Sequence, residues 1–397
     1  MGFLFKLFAS TLAVASAVNS AELLNFENER DVIPGAYIVV MKDGLSSSNF
    51  RTHLSSVPQG NEGKRGIQGS DGLQFSFDIE GWRGYSGRFD NETLSNIANH
   101  PDVKFVEPDR MAKASILKFQ KAAPSWGLPR ISHRFRGFRN YIYHRSSGKG
   151  VVAYVVDTGI DIHHPEFEGR AEYGINVVDE VEGDENGHGT HVSGTIAGKT
   201  FGVAKGVKLI AVKALGKNSR GPDSGIIAAM DWAVKHAKEK RTIGKAIMNL
   251  SLTGDTSTAL NEAAERAVEA GFFLGVAAGN NNRDAINESP ASVKSVCTVG
   301  ASTINDEKAS FSNFGARLDI YAPGANITSA LPNGRHGAMS GTSMATPHVC
   351  GVAALLISSE GIRAKHACDR IKQLATRRAI KNPGEKTTSR LLYNGSF

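Results

Sequence analysis

The sequence has few cysteines, no apolar stretch of membrane length beyond its leader, and no local concentration of one charge. Three cysteines among 397 residues permit at most one disulfide. Past the N-terminal run Leu7 to Val18, no segment reaches the ~20 residues that span a bilayer without a charge or glycine breaking it. No membrane anchor is expected. Lys and Arg number 46 against 39 Asp and Glu, a formal charge of +7, but the basic residues are scattered rather than set in a stripe with interleaved aromatics. A nucleic-acid partner is therefore not expected. The densest basic stretch, Arg134, Arg136, Arg139, His144 and Arg145, lies in an aromatic-rich loop and reads first as solvated surface, with an acidic partner as the alternative. The sequence also lacks a His-Glu-x-x-His motif. His188 and His191 nevertheless stand at helical spacing, with His163 and His164 nearby, so a metal site stays open as a rival reading.

Hydrophobic residues make up 41% and charged residues 21%, the composition of a chain that buries a core. Its length suggests two or three domains. Glycine, at 43 residues, is about 11% against a usual ~7%, which points to tight turns and close backbone approach. Residues 1–20 combine Lys6, the apolar run and the small residues Ala15, Ser16, Ala17 and Ser20; this predicts a secretory signal peptide and a secreted, extracellular protein. Cys350 sits in the apolar helical run Val349 to Ile357, where a free thiol behaves as a small buried hydrophobe. Cys297 and Cys368 are thus the expected disulfide pair.

Two patterns divide the remainder. Between Pro34 and Asp109, apolar stretches at 36–41, 75–79, 84–89 and 103–106 predict strands, and 91–98 predicts a short helix. This is a small α+β domain, taken as residues 21–114 with its folded core at 34–109. Asp109 to Pro124 reads as an exposed linker. From Gly148, apolar runs at 151–156, 207–212, 246–250, 272–277 and 295–299 alternate with helical periodicity at 224–238 and 259–270. Such alternation predicts an α/β domain over residues 115–397, a mostly parallel sheet with helices on both faces. Ligands of these sheets sit at the carboxyl ends of the strands.

Four segments place reactive groups there. The first strand delivers Asp157. Gly187-His188-Gly189-Thr190-His191 places an imidazole beside a helix start, and Ser340-Gly341-Thr342-Ser343 leads a hydroxyl into the helix beyond it. Ala277-Ala278-Gly279-Asn280 ends a strand on an amide donor. Each segment has a plain structural reading as turn or cap. Together they hold a carboxylate, an imidazole, a hydroxyl and an amide, the set needed for acyl transfer.

The segments VVDTGID from Val155, GHGTHVSGTIAG from Gly187 and SGTSMATPH from Ser340 resemble the three catalytic signatures of subtilisins. GIDIHHPEFEGRA, SVCTVGAS, FSNFGARLDIYAPG and ACDRI are similar to the secreted fungal, proteinase K-like branch. The resemblance implies a subtilisin-like fold preceded by a ferredoxin-like inhibitory propeptide that acts on its own enzyme, with a tail from Met111 to about Gln120 lying in the cleft. It implies Ser343 as nucleophile, His188 as general base, Asp157 as its orienting carboxylate and Asn280 as oxyanion donor. The stretches Ser219-Arg220-Gly221 and Ser251-Leu252-Thr253-Gly254 match the two edges that pair with an extended polypeptide substrate, and Ala277, Ala278 and Gly279 match a wall of the primary pocket. Broad specificity with large apolar residues before the cut is expected. Asp223, where relatives carry an aromatic lid, suggests tolerance of basic side chains at an outer subsite. No cofactor is expected for catalysis. A structural calcium is implied on Asp319 with the carbonyls of Lys294 and Val296. Asn326, Asn394 and, less favourably because of Pro290, Asn287 stand in glycosylation motifs. A monomer is expected. A catalytically dead relative and a histidine-based metal hydrolase are the competing functional readings.

Overall fold

The computed structural model describes residues 21–27, 31–59, 71–111 and 117–396. The expected leader, residues 1–20, lies outside them. The chain divides into two compact units, one ending at Ala114 and the other beginning at Ser115.

The N-terminal unit contains β1 (Glu22–Leu23), β2 (Val32–Met41), α1 (Ser47–Ser56), β3 (Gly72–Ile79), β4 (Trp82–Arg88), α2 (Asn91–Ala98) and β5 (Val103–Arg110). Its sheet runs β1-β5-β2-β4-β3, so β2 to β5 with their helices form a βαββαβ ferredoxin-like unit. Both helices start on a side-chain cap: Ser46 Oγ accepts from Asn49 N and Asp90 Oδ1 accepts from Thr93 N at 2.8 Å. Such caps satisfy amides that the first helical turn leaves unpaired. Val39, Met41, Tyr85, Leu94, Val103 and Val106 close the core between sheet and helices. The sequence reading missed α1, whose apolar content is low, and began β2 four residues late.

The C-terminal unit begins with β6 (Leu117–Gln120), α3 (Gly127–Ser132) and β7 (Tyr141–His144). Here the expected linker is corrected, because Leu117 to Gln120 pairs antiparallel with Tyr141 to His144 and is part of this unit's own structure. There follow β8 (Val152–Asp157), β9 (Ala171–Asn176), α4 (His188–Ala197), β10 (Lys208–Lys213), α5 (Asp223–Glu239), β11 (Ala246–Leu250), α6 (Thr258–Glu269), β12 (Phe273–Ala277), β13 (Cys297–Ser302) and β14 (Ile320–Pro323). The hairpin β15 (Ile327–Leu331) and β16 (Arg335–Met339), then α7 (Thr342–Glu360) and α8 (Ala367–Leu374), complete it.

Seven of these strands form one parallel sheet in the order β14-β13-β12-β11-β8-β10-β9. Alternation along each strand feeds two cores. Ala153 and Val155 of β8 face one cluster with Val349 and Val352 of α7, while Tyr154 and Val156 face the other with Ile226 and Met230 of α5 and Leu260 of α6. This is why the strands read as continuous apolar runs. Strand order reverses between β8 and β11, which lie side by side, and a crevice opens at the carboxyl ends of strands at such a reversal. Cys297 and Cys368 are disulfide-bonded and Cys350 is free and buried. No helix among the described residues is long and apolar enough to cross a membrane.

Candidate active site

The reversal point sets the site. Strand β8 ends on Asp157, fully buried, and the chain from β11 continues into Ser251 on its neighbour. His188 opens α4 behind Gly187, whose φ of 99° suits glycine. Asp157 Oδ1 meets His188 Nδ1 at 2.7 Å, a charge-assisted length. The His188 side chain is one-fifth exposed, so one ring edge is held from below while the other reaches the surface. Burial opposes a charge on His188, but the Asp157 charge and hydrogen bond, joined by Asp184, outweigh it and raise the imidazole pKa above its ordinary 6.5.

Ser343 is the second residue of α7, at the positive end of the helix. It is clamped by Ser251: Ser343 Oγ donates to Ser251 O at 3.0 Å, and Ser251 Oγ donates to Ser343 O at 2.9 Å. Asn280 leaves the end of β12. Its Oδ1 accepts from Thr342 N at 2.8 Å and from Thr342 Oγ1 at 3.0 Å, which fixes the amide with Nδ2 as its outward donor. A Cβ placed on Gly341 would lie 3.5 Å from Ser343 N and 3.7 Å from Asn280 Nδ2. Two N–H donors therefore border one small space in front of the serine.

His188, Asn280 and Ser343 line one cleft of about 400 Å³. Its sides come from Ser219, Arg220 and Gly221 on one edge and from Ser251, Leu252, Thr253 and Gly254 on the other. Asp223, at the start of α5, lines it as well. Ala277 and Ala278 are buried, and Gly279 N donates to Thr342 Oγ1 at 3.2 Å, behind Asn280.

The second imidazole has a different place. His191 is fully buried, its Nε2 against Ile327 O at 2.9 Å and Gly337 O at 3.2 Å, and burial pushes its pKa down to about 4. His164 Nδ1 accepts from Glu166 N, and its Nε2 meets Arg335 O. These rings hold turns and the β15–β16 hairpin in place. They do not gather around a shared point with His188, and the histidine-metal reading loses its ligand set.

The sequence reading missed Asp184. Its carboxylate accepts from Thr158 Oγ1, Asn186 N, Gly187 N, Thr190 N and Thr190 Oγ1, all between 2.6 and 3.1 Å. Thr158 in turn accepts from Gly189 N on Oγ1 and donates its N–H to Asp157 Oδ1. One carboxylate thus ties the end of β8 to the first turn of α4, and so fixes Asp157 against His188. The signal was its position four residues before the histidine, masked by the acidic run around it.

Among the glycosylation motifs, Asn326 is exposed in a turn of positive φ. Asn394 is corrected: it is buried, its Nδ2 donates to Ile142 O at 2.7 Å and its Oδ1 accepts from Ser396. A glycan there would break these bonds. Asn287 is exposed, but the Ser289 of its motif is fully buried and bonded to Ser257.

Residues 148–395 match the family model described as the subtilase family, and residues 36–115 match that of the peptidase inhibitor I9. A subtilisin-like protease of Coccidioides posadasii is 71% identical, covering all of both chains. Subtilisin-like protease 5 of Arthroderma gypseum is 51% identical over 100% of this chain and 99% of its own. Among solved structures, a cold-adapted subtilisin-like serine proteinase superposes with a TM-score of 0.65 at 42% identity, covering 69% of this chain and 99% of that one.

The expected calcium does not fit. Asp319 Oδ2 accepts from Thr298 N at 3.0 Å, and Oδ1 faces Lys372 Nζ at 3.3 Å. Lys372 is held from the other side by Asp369 at 2.9 Å. An ammonium already stands against the carboxylate, where calcium would require six to eight oxygens and no neighbouring cation. Lys294 adds a further positive charge to the same stretch. Lys372→Met should lower the melting temperature by a few degrees by leaving the part-buried Asp319 without a counter-charge. Thermal unfolding in chelator checks this; a variant as stable as the parent would contradict the assignment.

Proposed function

Because this chain belongs to the subtilase family of serine proteases, we propose that it acts outside the cell as an endopeptidase of broad specificity, synthesised as a zymogen. The family membership makes it a subtilisin-like serine protease, and the N-terminal I9 domain makes that protease a zymogen restrained by its own propeptide. The finer reading rests on one observation above all: the bonded pair Asp157–His188, the helix-borne Ser343 and the outward amide of Asn280 converge on a single open cleft.

In the proposed reaction a polypeptide lies along the cleft, and the Ser343 side chain rotates from Ser251 O towards His188 Nε2. Catalytic hydrogen bonds commonly tighten only when substrate is bound. Ser343 Oγ attacks the carbonyl carbon as His188 Nε2 takes its proton, and Asp157 stabilises the imidazolium without taking a proton itself. Asn280 Nδ2 and Ser343 N receive the oxyanion. In subtilisins themselves, losing one such donor costs about 10² to 10³ in kcat. His188 then protonates the leaving amine, and water, deprotonated by the same ring, releases the acyl group.

A substrate strand paired with the main chain of the two cleft edges would be read with little regard to its sequence. Leu215, Ile226, Leu252 and Leu260 among the cleft-lining residues support a preference for large apolar side chains, and Asp223 supports acceptance of a basic residue at an outer subsite. Mapping cleavage in a peptide library should show both preferences; an outer subsite that rejects Lys and Arg would contradict the role of Asp223. Asn326 is the proposed glycan position.

Labelling the purified protein with a fluorophosphonate and mapping the modified peptide tests the reading itself. Stoichiometric label on Ser343 is expected. A folded, processed protein that takes no label would identify a catalytically dead relative.

A further inference from the structure

A second concavity, of about 540 Å³, is larger than the catalytic cleft and lies apart from the residues that line it. Its mouth is the loop Arg134-Phe135-Arg136-Gly137-Phe138-Arg139 between α3 and β7, every residue of which is exposed. The loop is anchored. Arg134 packs over the Tyr393 ring at 4.1 Å, Phe138 stacks on His133 at 3.9 Å, and Ala123 N donates to Arg139 O at 2.9 Å. Gly137, at a φ of 98°, makes the reversal between the two phenylalanines.

These anchors leave Phe135 78% exposed, facing a groove that Ile304, itself 56% exposed, also lines. Large apolar side chains held open beside one another mark contact surfaces more often than chance exposure does. Arg130, Arg136 and Arg139 line the same groove, and no carboxylate does. Behind it, Asp306 is engaged by Arg130 at 2.7 Å and shared with Arg136 at 3.7 Å. The surface is therefore cationic and apolar at once.

Two contacts tie the groove to the catalytic machinery. Trp126, on its wall, donates Nε1–H to Ala325 O at 3.0 Å, and the next residue, Asn326, donates its N–H to Ser340 Oγ at 2.8 Å. Ser340 leads the loop that carries Ser343. Gly127 of α3 lies so close to His348 of α7 that an added Cβ would collide with the ring.

We propose that this groove is an exosite that docks an acidic, aromatic-bearing polypeptide segment of a substrate. Guanidinium groups recognise carboxylates in a fixed geometry, and Phe135, Ile304 and Trp126 supply apolar contact that a sulfated polysaccharide would not use. Only the identity of that segment as substrate rests on the peptidase reading; the binding itself needs no turnover.

The test uses the full-length processed protein, blocked at the nucleophile by fluorophosphonate where it labels, and a short fluorescent peptide of alternating Glu and Phe. Anisotropy should show saturable binding that weakens with salt, and a Lys–Phe peptide should not bind. The combined variant Phe135→Ser, Arg136→Glu, Arg139→Glu should weaken binding by about tenfold or more, with an unchanged melting temperature and an unchanged kcat/KM on a short neutral peptide. Equal binding by parent and variant would overturn the proposal. So would binding of heparin with no binding of the acidic peptide. If the protein takes no label yet binds the peptide, the exosite stands and the peptidase reading fails.

Discussion

The bond between Asp157 and His188 is the interaction on which the site depends. A carboxylate that is fully buried at the end of β8 is tolerable only because an imidazole and a backbone amide meet it. That pairing makes one imidazole nitrogen a committed donor and leaves the other as an acceptor, the form the proposed reaction needs. The surrounding structure delivers the two side chains from separate elements to within 2.7 Å. Asp184 supplies much of that precision, because its oxygens gather the turn before α4, the first turn of α4 and the residue after Asp157.

The sheet explains why the other groups arrive at the same place. Asp157, Ser251 and Asn280 follow the ends of β8, β11 and β12, three strands adjacent in one parallel sheet, so their carboxyl ends open on one side. Ser343 comes from α7, which packs along the core beneath those strands through Val349 and Val352. The residues that make the core thus also aim Ser343, and the order β12-β11-β8 sets the distance between Asp157 and Asn280.

Much of this was legible in the sequence. Strands buried on both faces read as apolar runs, and the helix at 91–98 has the same bounds in the structure as in the periodicity. Glycine and serine at the turns marked where the reactive side chains leave the sheet. What failed to read was long-range and polar. The pairing of Leu117–Gln120 with Tyr141–His144 gives no local signal, so the stretch resembled a linker. Asn394 carries a glycosylation motif, but only folding brings it against Ile142. Asp319 read as a cation ligand, and the cation that reaches it is Lys372, brought round by α8. Asp184 was hidden differently: four of its five bonds are local, to Asn186, Gly187 and Thr190, and only Thr158 is distant, but the acidic run around it masked the signal.

Against the effect of burial, the charges of Asp157 and Asp184 together raise the pKa of His188 and so set the pH at which it becomes neutral. The most direct measurement is the pH dependence of kcat/KM for the parent and for Asp184→Asn, since this ratio reports the ionisation of the free enzyme. In the proposed reaction His188 must be neutral to accept the serine proton, and its pKa is raised above the ordinary 6.5. Activity in the parent should therefore fall through a midpoint above 6.5 as the solution is acidified. Removing the negative charge of Asp184 withdraws part of what raises that pKa, so the midpoint should move to lower pH. A midpoint that stays where it is in a folded Asp184→Asn protein would contradict the claim.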